Sequence, residues 1–342
     1  ANDIAHLILK RGNGWYGVLL SNWKKFSKVN FSDEDYETII NHILPHDMEE
    51  LAQNIDKFPR SFHRKIAQKL IDNKCGRELV LNLEKFSGLN HREIVQQLID
   101  NEQGDLVAWY LQKFSNIDHN KIAQQLIDQK YKYKEYEDSR CNKYISSLVQ
   151  NLEKFSGLDE NIARQLIKEN YYGSVRDHLK AFSNLSLDFA QELIMREKDN
   201  DEKILNNLES FSPEAHNDIV HFILKEGGQW YLKLLPNWEK LSRVDFSEED
   251  YETIVNQIAV KYSSGWKIAQ NIDKFPRSLH KKISQKLIDN NDGGAVAYNV
   301  EKFSQLSKGA ARRLAELGYI EILAKYPEKF PELDSDLQKQ ID

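Results

Sequence analysis

Two apolar patterns alternate along the chain. In residues 90–117, Ile94, Val95, Leu98 and Ile99 fall at i, i+1, i+4 and i+5, one broad face of a helix. Gly104 interrupts that face and allows a turn. Leu106, Val107, Tyr110, Leu111 and Phe114 then resume it at i, i+1, i+4, i+5 and i+8. The pattern predicts helix A, a tight turn, helix B running to a phenylalanine, and a short loop. Asn90 has N-cap chemistry for helix A, and Asp118, Asp159, Ser186 and Ser278 occupy the same place in other copies. Ser32 and Ser247 each precede an aspartate by three residues, a capping box with Asp35 or Asp250 replacing the usual glutamate.

The same unit recurs about eleven times. Its helix B phrase is clearest as Asn82-Leu83-Glu84-Lys85-Phe86-Ser87, which returns at 151–156 and 299–304. Its helix A phrase, Ile-Ala-Gln-x-Leu-Ile, is clearest at 66–71 and 122–127. Helix A starts fall at Ile4, Ile39, Ile66, Ile94, Ile122, Ile162, Phe189, Ile219, Ile254, Ile283 and Ala310. Most steps are 27–30 residues and three are longer. A larger echo lies above this period: Asp35-Tyr36-Glu37-Thr38-Ile39 returns as Asp250 to Ile254, an offset of 215. Helices of about ten residues are too short to stand alone in water, so the units must stack to bury their stripes.

This organisation resembles the α-solenoid repeat proteins of the armadillo, HEAT and tetratricopeptide kind, over essentially the whole chain and in architecture alone, with a shorter period. The resemblance implies an extended surface that binds a partner. The expected fold is all-α: a right-handed α-solenoid of about eleven helix-turn-helix units. It forms a single body over 1–342, with a seven-unit block at 1–214, a partial duplicate at 215–331 and a cap segment at 332–342.

Composition adds mainly exclusions. Apolar residues make up 40% of the chain, enough for a continuous core, and 7 prolines with 29% charged residues argue against long disordered tracts. A net charge of −6 gives no general attraction to phosphate backbones or anionic membranes. Cys75 and Cys141 have no metal or redox spacing and are expected as free thiols. No apolar run approaches the ~20 residues that span a bilayer. No signal-peptide pattern opens the chain, so a cytoplasmic location is favoured. No glycine-rich phosphate loop, metalloprotease motif or activated nucleophile is present, so neither catalysis nor a cofactor or metal is expected.

Several rows of residues could bind a partner. The position four before the helix B phenylalanine is Asn54, Asn82, Asn151, Asn207, Asn271 and Asn299, with Tyr110 and His178 in other units. Such amides could clamp an extended peptide, or they could satisfy neighbouring backbone groups as an internal ladder. His63, His91, His119, His216 and His280 form a second row. Equivalent positions in stacked helices lie ~8–10 Å apart, too far for shared metal bonds, so a flat packing ring is expected. Lysines such as Lys85, Lys113 and Lys154, just before the phenylalanine, read as a solvated face neutralised by adjacent acids. The longest step carries Tyr131, Tyr133, Tyr136, Arg140 and Tyr144 among lysines, a composition suited to a protein hot spot or to single-stranded nucleic acid, or else to an amphipathic extension of helix B that fills a wider gap. The tryptophan pairs Trp15/Trp23 and Trp230/Trp238 are expected to pack in the core. The expected function is a monomeric, non-catalytic scaffold for a protein or extended peptide. A nucleic-acid-binding repeat protein is the alternative, and an enzyme on a helical-repeat frame a distant third.

Overall fold

The computed structural model describes residues 2–12, 14–26, 28–132, 140–196, 201–226, 241, 244–258, 265–331, 333 and 335–341. Among these there are 22 α-helices and no strand, so the fold is all-α. The chain divides into two compact units, Ala1–Phe182 and Ser183–Asp342. None of the described helices is long and apolar enough to cross a membrane.

The first unit holds α1 (Asn2–Arg11), α2 (Trp15–Ser21), α3 (Asp33–His42), α4 (Met48–Gln53), α5 (Arg60–Asp72), α6 (Gly76–Leu81), α7 (His91–Asp100), α8 (Gly104–Trp109), α9 (His119–Lys132), α10 (Arg140–Gln150), α11 (Glu160–Lys168) and α12 (Tyr172–Asp177). The second holds α13 (Leu187–Arg196), α14 (Asp201–Asn206), α15 (Ala215–Glu226), α16 (Glu248–Ile258), α17 (Gly265–Gln270), α18 (His280–Asp289), α19 (Gly293–Tyr298), α20 (Lys308–Glu316), α21 (Ile320–Lys325) and α22 (Ser335–Ile341). Longer and shorter helices alternate through most of this order; short helices pack on the next short helix, as α4 with α6 and α6 with α8, and on the long helix before them, as α8 with α7.

The longer helices follow the expected stripe. In α5, Ile66, Ala67, Leu70 and Ile71 are all fully buried. Most of the expected caps are made. Ser32 and Asp35 close a reciprocal capping box, Ser247 and Asp250 repeat it, and Asn90, Asp118, Asp159 and Ser186 each accept an amide of the first turn. Ser278 departs from expectation: it lies inside a 3-10 turn, Arg277–Leu279, that follows Pro276 and leads into α18 without a side-chain cap. Ser307 caps α20 by accepting from the Ala310 amide, a cap the pattern did not announce.

Helix B is not one continuous element. In most units its α-helical part is only six residues long, as in Gly76–Leu81, and a separate 3-10 turn, Leu83–Lys85, precedes Phe86 in extended backbone. The break falls on the asparagine. Asn82 sits at φ −106° and ψ 15°, and both its amide N–H and its side-chain Nδ2 donate to the Glu78 carbonyl. A side chain that bonds the backbone locally competes with the next helical turn, so the chain tightens to 3-10 geometry.

The turn glycines divide. Gly12 and Gly318 carry the backbone reversal between the two helices themselves, at φ 64° and 88°, whereas in other units Lys74, Glu102, Asn170 and Asn291 carry it, at φ 60°, 61°, 69° and 65°. Gly76 comes one position later than Cys75, at the first residue of α6, where a Cβ would lie 2.5 Å from both Gln103 Oε1 and Leu98 Cδ2. Glycine is needed there because the next repeat packs against bare backbone.

Candidate partner-binding surface

The asparagine row is occupied by the fold. Asn54 Nδ2 donates to the Glu50 carbonyl at 2.9 Å and Asn82 to Glu78 at 3.0 Å. Asn151, Asn207, Asn271 and Asn299 make the same bond four residues back, and His178 offers a ring nitrogen to Ser174 in their place. The amide oxygen is used as well in several units: Lys85 donates to Asn82 Oδ1 and Lys154 to Asn151 Oδ1. Tyr110 differs, because its hydroxyl is hydrogen-bonded by the exposed Arg77 of the preceding repeat. The row therefore reads as a set of helix-end locks in which each asparagine's side-chain N–H is engaged within the chain.

The lysine row is a set of ties between repeats. Lys85 Nζ donates to the Gln53 carbonyl, Lys113 to Leu81, Lys154 to Trp109 and Lys302 to Gln270, at 2.7–3.1 Å. Each acceptor is the last residue of the preceding short helix. A lysine there neutralises the negative end of the helix and satisfies a carbonyl with no intrahelical partner.

The histidine row bridges repeats in the same direction. His63 Nδ1 accepts the Ser87 amide at 2.9 Å while Nε2 donates to the Phe58 carbonyl at 3.2 Å. His280 does the same with Ser304 and Phe275, and His91 and His119 accept from Ser115 and Ser156. Each ring also stands edge-on to the next phenylalanine, with centroids 5.7–6.1 Å apart. Between an amide donor and a carbonyl acceptor, the His63 and His280 rings are held as neutral Nε2–H tautomers. Burial lowers the His280 pKa below its ordinary value, although the Phe275 and Ile272 carbonyls oppose this. No cluster of metal-binding side chains exists among the described residues.

The residues of the longest step are divided. Tyr133 and Tyr136 lie outside the described residues; Tyr131 falls in α9 and Arg140 in α10. Tyr144 is buried, so it belongs to the core of the first unit. Of the tryptophan pairs, Trp23 packs as expected against Phe31 and Phe58, with centroids 5.0 and 5.5 Å away. Trp15 does not, and Trp230 and Trp238 lie outside the described residues.

A different row stays open to solvent. The residue just before the asparagine position is Leu81, Trp109 or Tyr298 in three units, and all three are exposed. Trp109 is 44% exposed and Tyr298 69%. Lys154 lies over the Trp109 ring at 5.8 Å. In the second unit, Trp266 stacks on Tyr298 at 5.7 Å, and Tyr298 meets Tyr319 edge-on at 6.2 Å. The spacing alone did not mark this row, because Gln53, Gln150 and Gln270 fill the same position elsewhere. Its signal was the short helix itself, which turns that position outward.

A groove of about 570 Å³ in the second unit is lined by Arg277, Ser278, His280, Lys302, Ser304 and Lys329, among others. Its chemistry is less cationic than its composition suggests. Lys302 is turned onto the Gln270 carbonyl, Lys329 onto Glu301 and Phe303, and Asp273 and Glu301 share the wall. The chain matches no protein-family model, and no curated protein or solved structure is significantly similar to it.

Proposed function

We propose that this protein is a non-catalytic, protein- or peptide-binding scaffold built as a right-handed α-solenoid of about eleven units. The observation that carries this reading is the exposed row on the short helices: Leu81, Trp109 and Tyr298 at one repeat position, with Trp266 and Tyr319 beside the last. Large apolar and aromatic groups left in water, rimmed by polar side chains, are the usual anchors of protein recognition. The lysines beside them are turned onto helix carbonyls, which leaves fewer of their N–H donors free for phosphate. That favours a protein partner over a nucleic acid.

The test has two arms. Peptides selected for binding from a random library should lose affinity at least about ten-fold on Trp109→Ala or Tyr298→Ala, the size expected of an interface hot spot. Labelled single- and double-stranded oligonucleotides, titrated at ~50 and ~200 mM salt, should bind weakly at both. Micromolar oligonucleotide affinity with a steep salt dependence would overturn the reading.

A further inference from the structure

The exposed row constrains the conformation of what it binds. In the first unit it runs through four successive repeats as Gln53, Leu81, Trp109 and Gln150, each exposed and each the last residue of its helix. Those helices, α4, α6, α8 and α10, pack one on the next. In the second unit Gln270 and Tyr298 hold the same place on α17 and α19, which also pack together. Packed helices lie ~8–10 Å apart, so the row presents one contact per repeat at about that interval. In the first unit the row is also one residue wide. The position one turn earlier on the same face is Glu49, Arg77, Asp105 or Ser146, polar in every repeat. In the second unit Gly294 leaves that position bare on α19, and Trp266 stacks on Tyr298 from α17.

Period and width together choose between peptide conformations. A β-strand returns side chains to one face every ~6.5–7 Å and falls out of step within two repeats. An α-helix brings i and i+7 into line at ~10.5 Å, but its apolar stripe spans about 100° and needs apolar neighbours for i+3 and i+4. The polar residues beside Leu81 and Trp109 do not provide them. A polyproline II helix presents every third residue on one side at ~9.3 Å, in step with the repeats and one residue wide. Its chemistry fits as well. Proline contributes a ring and no N–H, so such a segment asks only for apolar contact and for donors to its carbonyls. Leu81, Trp109 and Tyr298 supply the contact, while the Trp109 indole, the Tyr298 hydroxyl and the glutamine amides are donors.

We infer that the row takes a polyproline II segment with proline at every third residue, lying along the short helices so that successive prolines meet successive repeats. This rests on the peptide-binding reading above and narrows it to one ligand conformation.

The full chain is titrated with labelled, uncharged ~13-residue peptides, read by fluorescence anisotropy. Two have identical composition with four prolines, placed at every third position in one and at every fourth in the other. A third peptide of the same length forms an amphipathic α-helix. The every-third peptide should bind at least about ten-fold tighter than the other two, and Trp109→Ala with Tyr298→Ala should remove that advantage. Equal affinity for the two proline spacings, or tighter binding of the helical peptide, would overturn the inference; this comparison needs no variant to fold. Library-selected peptides that depend on Trp109 or Tyr298 yet carry no Pro-x-x-Pro spacing would also overturn it, with the scaffold reading left standing. Selected peptides indifferent to both residues, or no peptide binding at all, would overturn the two together.

Discussion

Replacing Gly76 by alanine and Gly173 by alanine should move stability in opposite directions, although both glycines lie in the first turn of a short helix. At Gly173 an added Cβ meets nothing within 4 Å. Gly173→Ala should therefore stabilise by about 0.4–1 kcal/mol, through lost freedom in the unfolded chain. At Gly76 the Cβ would come within 2.5 Å of Gln103 Oε1 and Leu98 Cδ2. Leu98 is fully buried and cannot retreat without strain, an overpacking cost of about 1–3 kcal/mol. If Gln103 swings aside, the Gly76 amide and the Ile71 carbonyl lose their partner, at about 1–3 kcal/mol for each buried group left unpaired. Helix propensity returns less than ~1 kcal/mol at this position. The net expectation is a loss of about 2–4 kcal/mol. Urea titration by circular dichroism reads the sign, and hydrogen exchange of residues 60–110 shows whether the loss is local, which matters because repeat arrays need not unfold in one step. Equal midpoints for the two variants, or a stabilised Gly76→Ala, would refute the reasoning.

Asn299→Ala should cost about 1–2 kcal/mol, since its amide is buried and serves the Ala295 carbonyl, and should leave peptide binding unchanged; thermal melts and a binding titration of the same sample check both parts. Lowering the pH should destabilise the protein through His280. Its folded pKa lies below the unfolded value of 6.5, so its contribution is full above that pH and is lost as pH falls through the lowered value, the unfolded chain taking up the proton first. Denaturation midpoints between pH 8 and 5 should fall less steeply in His280→Gln. Trp109→Ala and Tyr298→Ala should change stability by less than about 0.5 kcal/mol, the range for exposed sites, while weakening partner binding.

The helical pattern, the caps and the repeat could all be read from single residues and their spacing, because each reflects a bond or a face made within a few positions. Ser32 with Asp35 is of this kind. What could not be read were properties created between repeats. Lys113 looked like a solvated charge because its true acceptor, the Leu81 carbonyl, is 32 residues away. His63 looked like a packing ring, and its second partner, Ser87, is 24 residues on. The asparagines could be weighed only as ladder or clamp, since the choice depended on where the helix stopped. The exposed row was hidden for the same reason: a continuous helix B gives no cause to single out Trp109, whereas a six-residue helix that ends on it does.

The ties between repeats also explain how the chain tolerates its longest step. From histidine to serine amide the separation is 24 residues at His63 and at His91, but 37 at His119. From lysine to helix carbonyl it is 32 at Lys85 and at Lys113, but 45 at Lys154. Both differences, 37 − 24 and 45 − 32, are 13 residues. The extra segment is spliced inside both loops without altering either closure. Length in this protein is thus decoupled from register: what each repeat senses of its neighbour is two bond ends, and the chain between them can be lengthened while those ends still meet. The interval between α9 and α10 is accordingly a natural port for grafted sequence, where an inserted binding loop or reporter domain should leave the packing on either side intact.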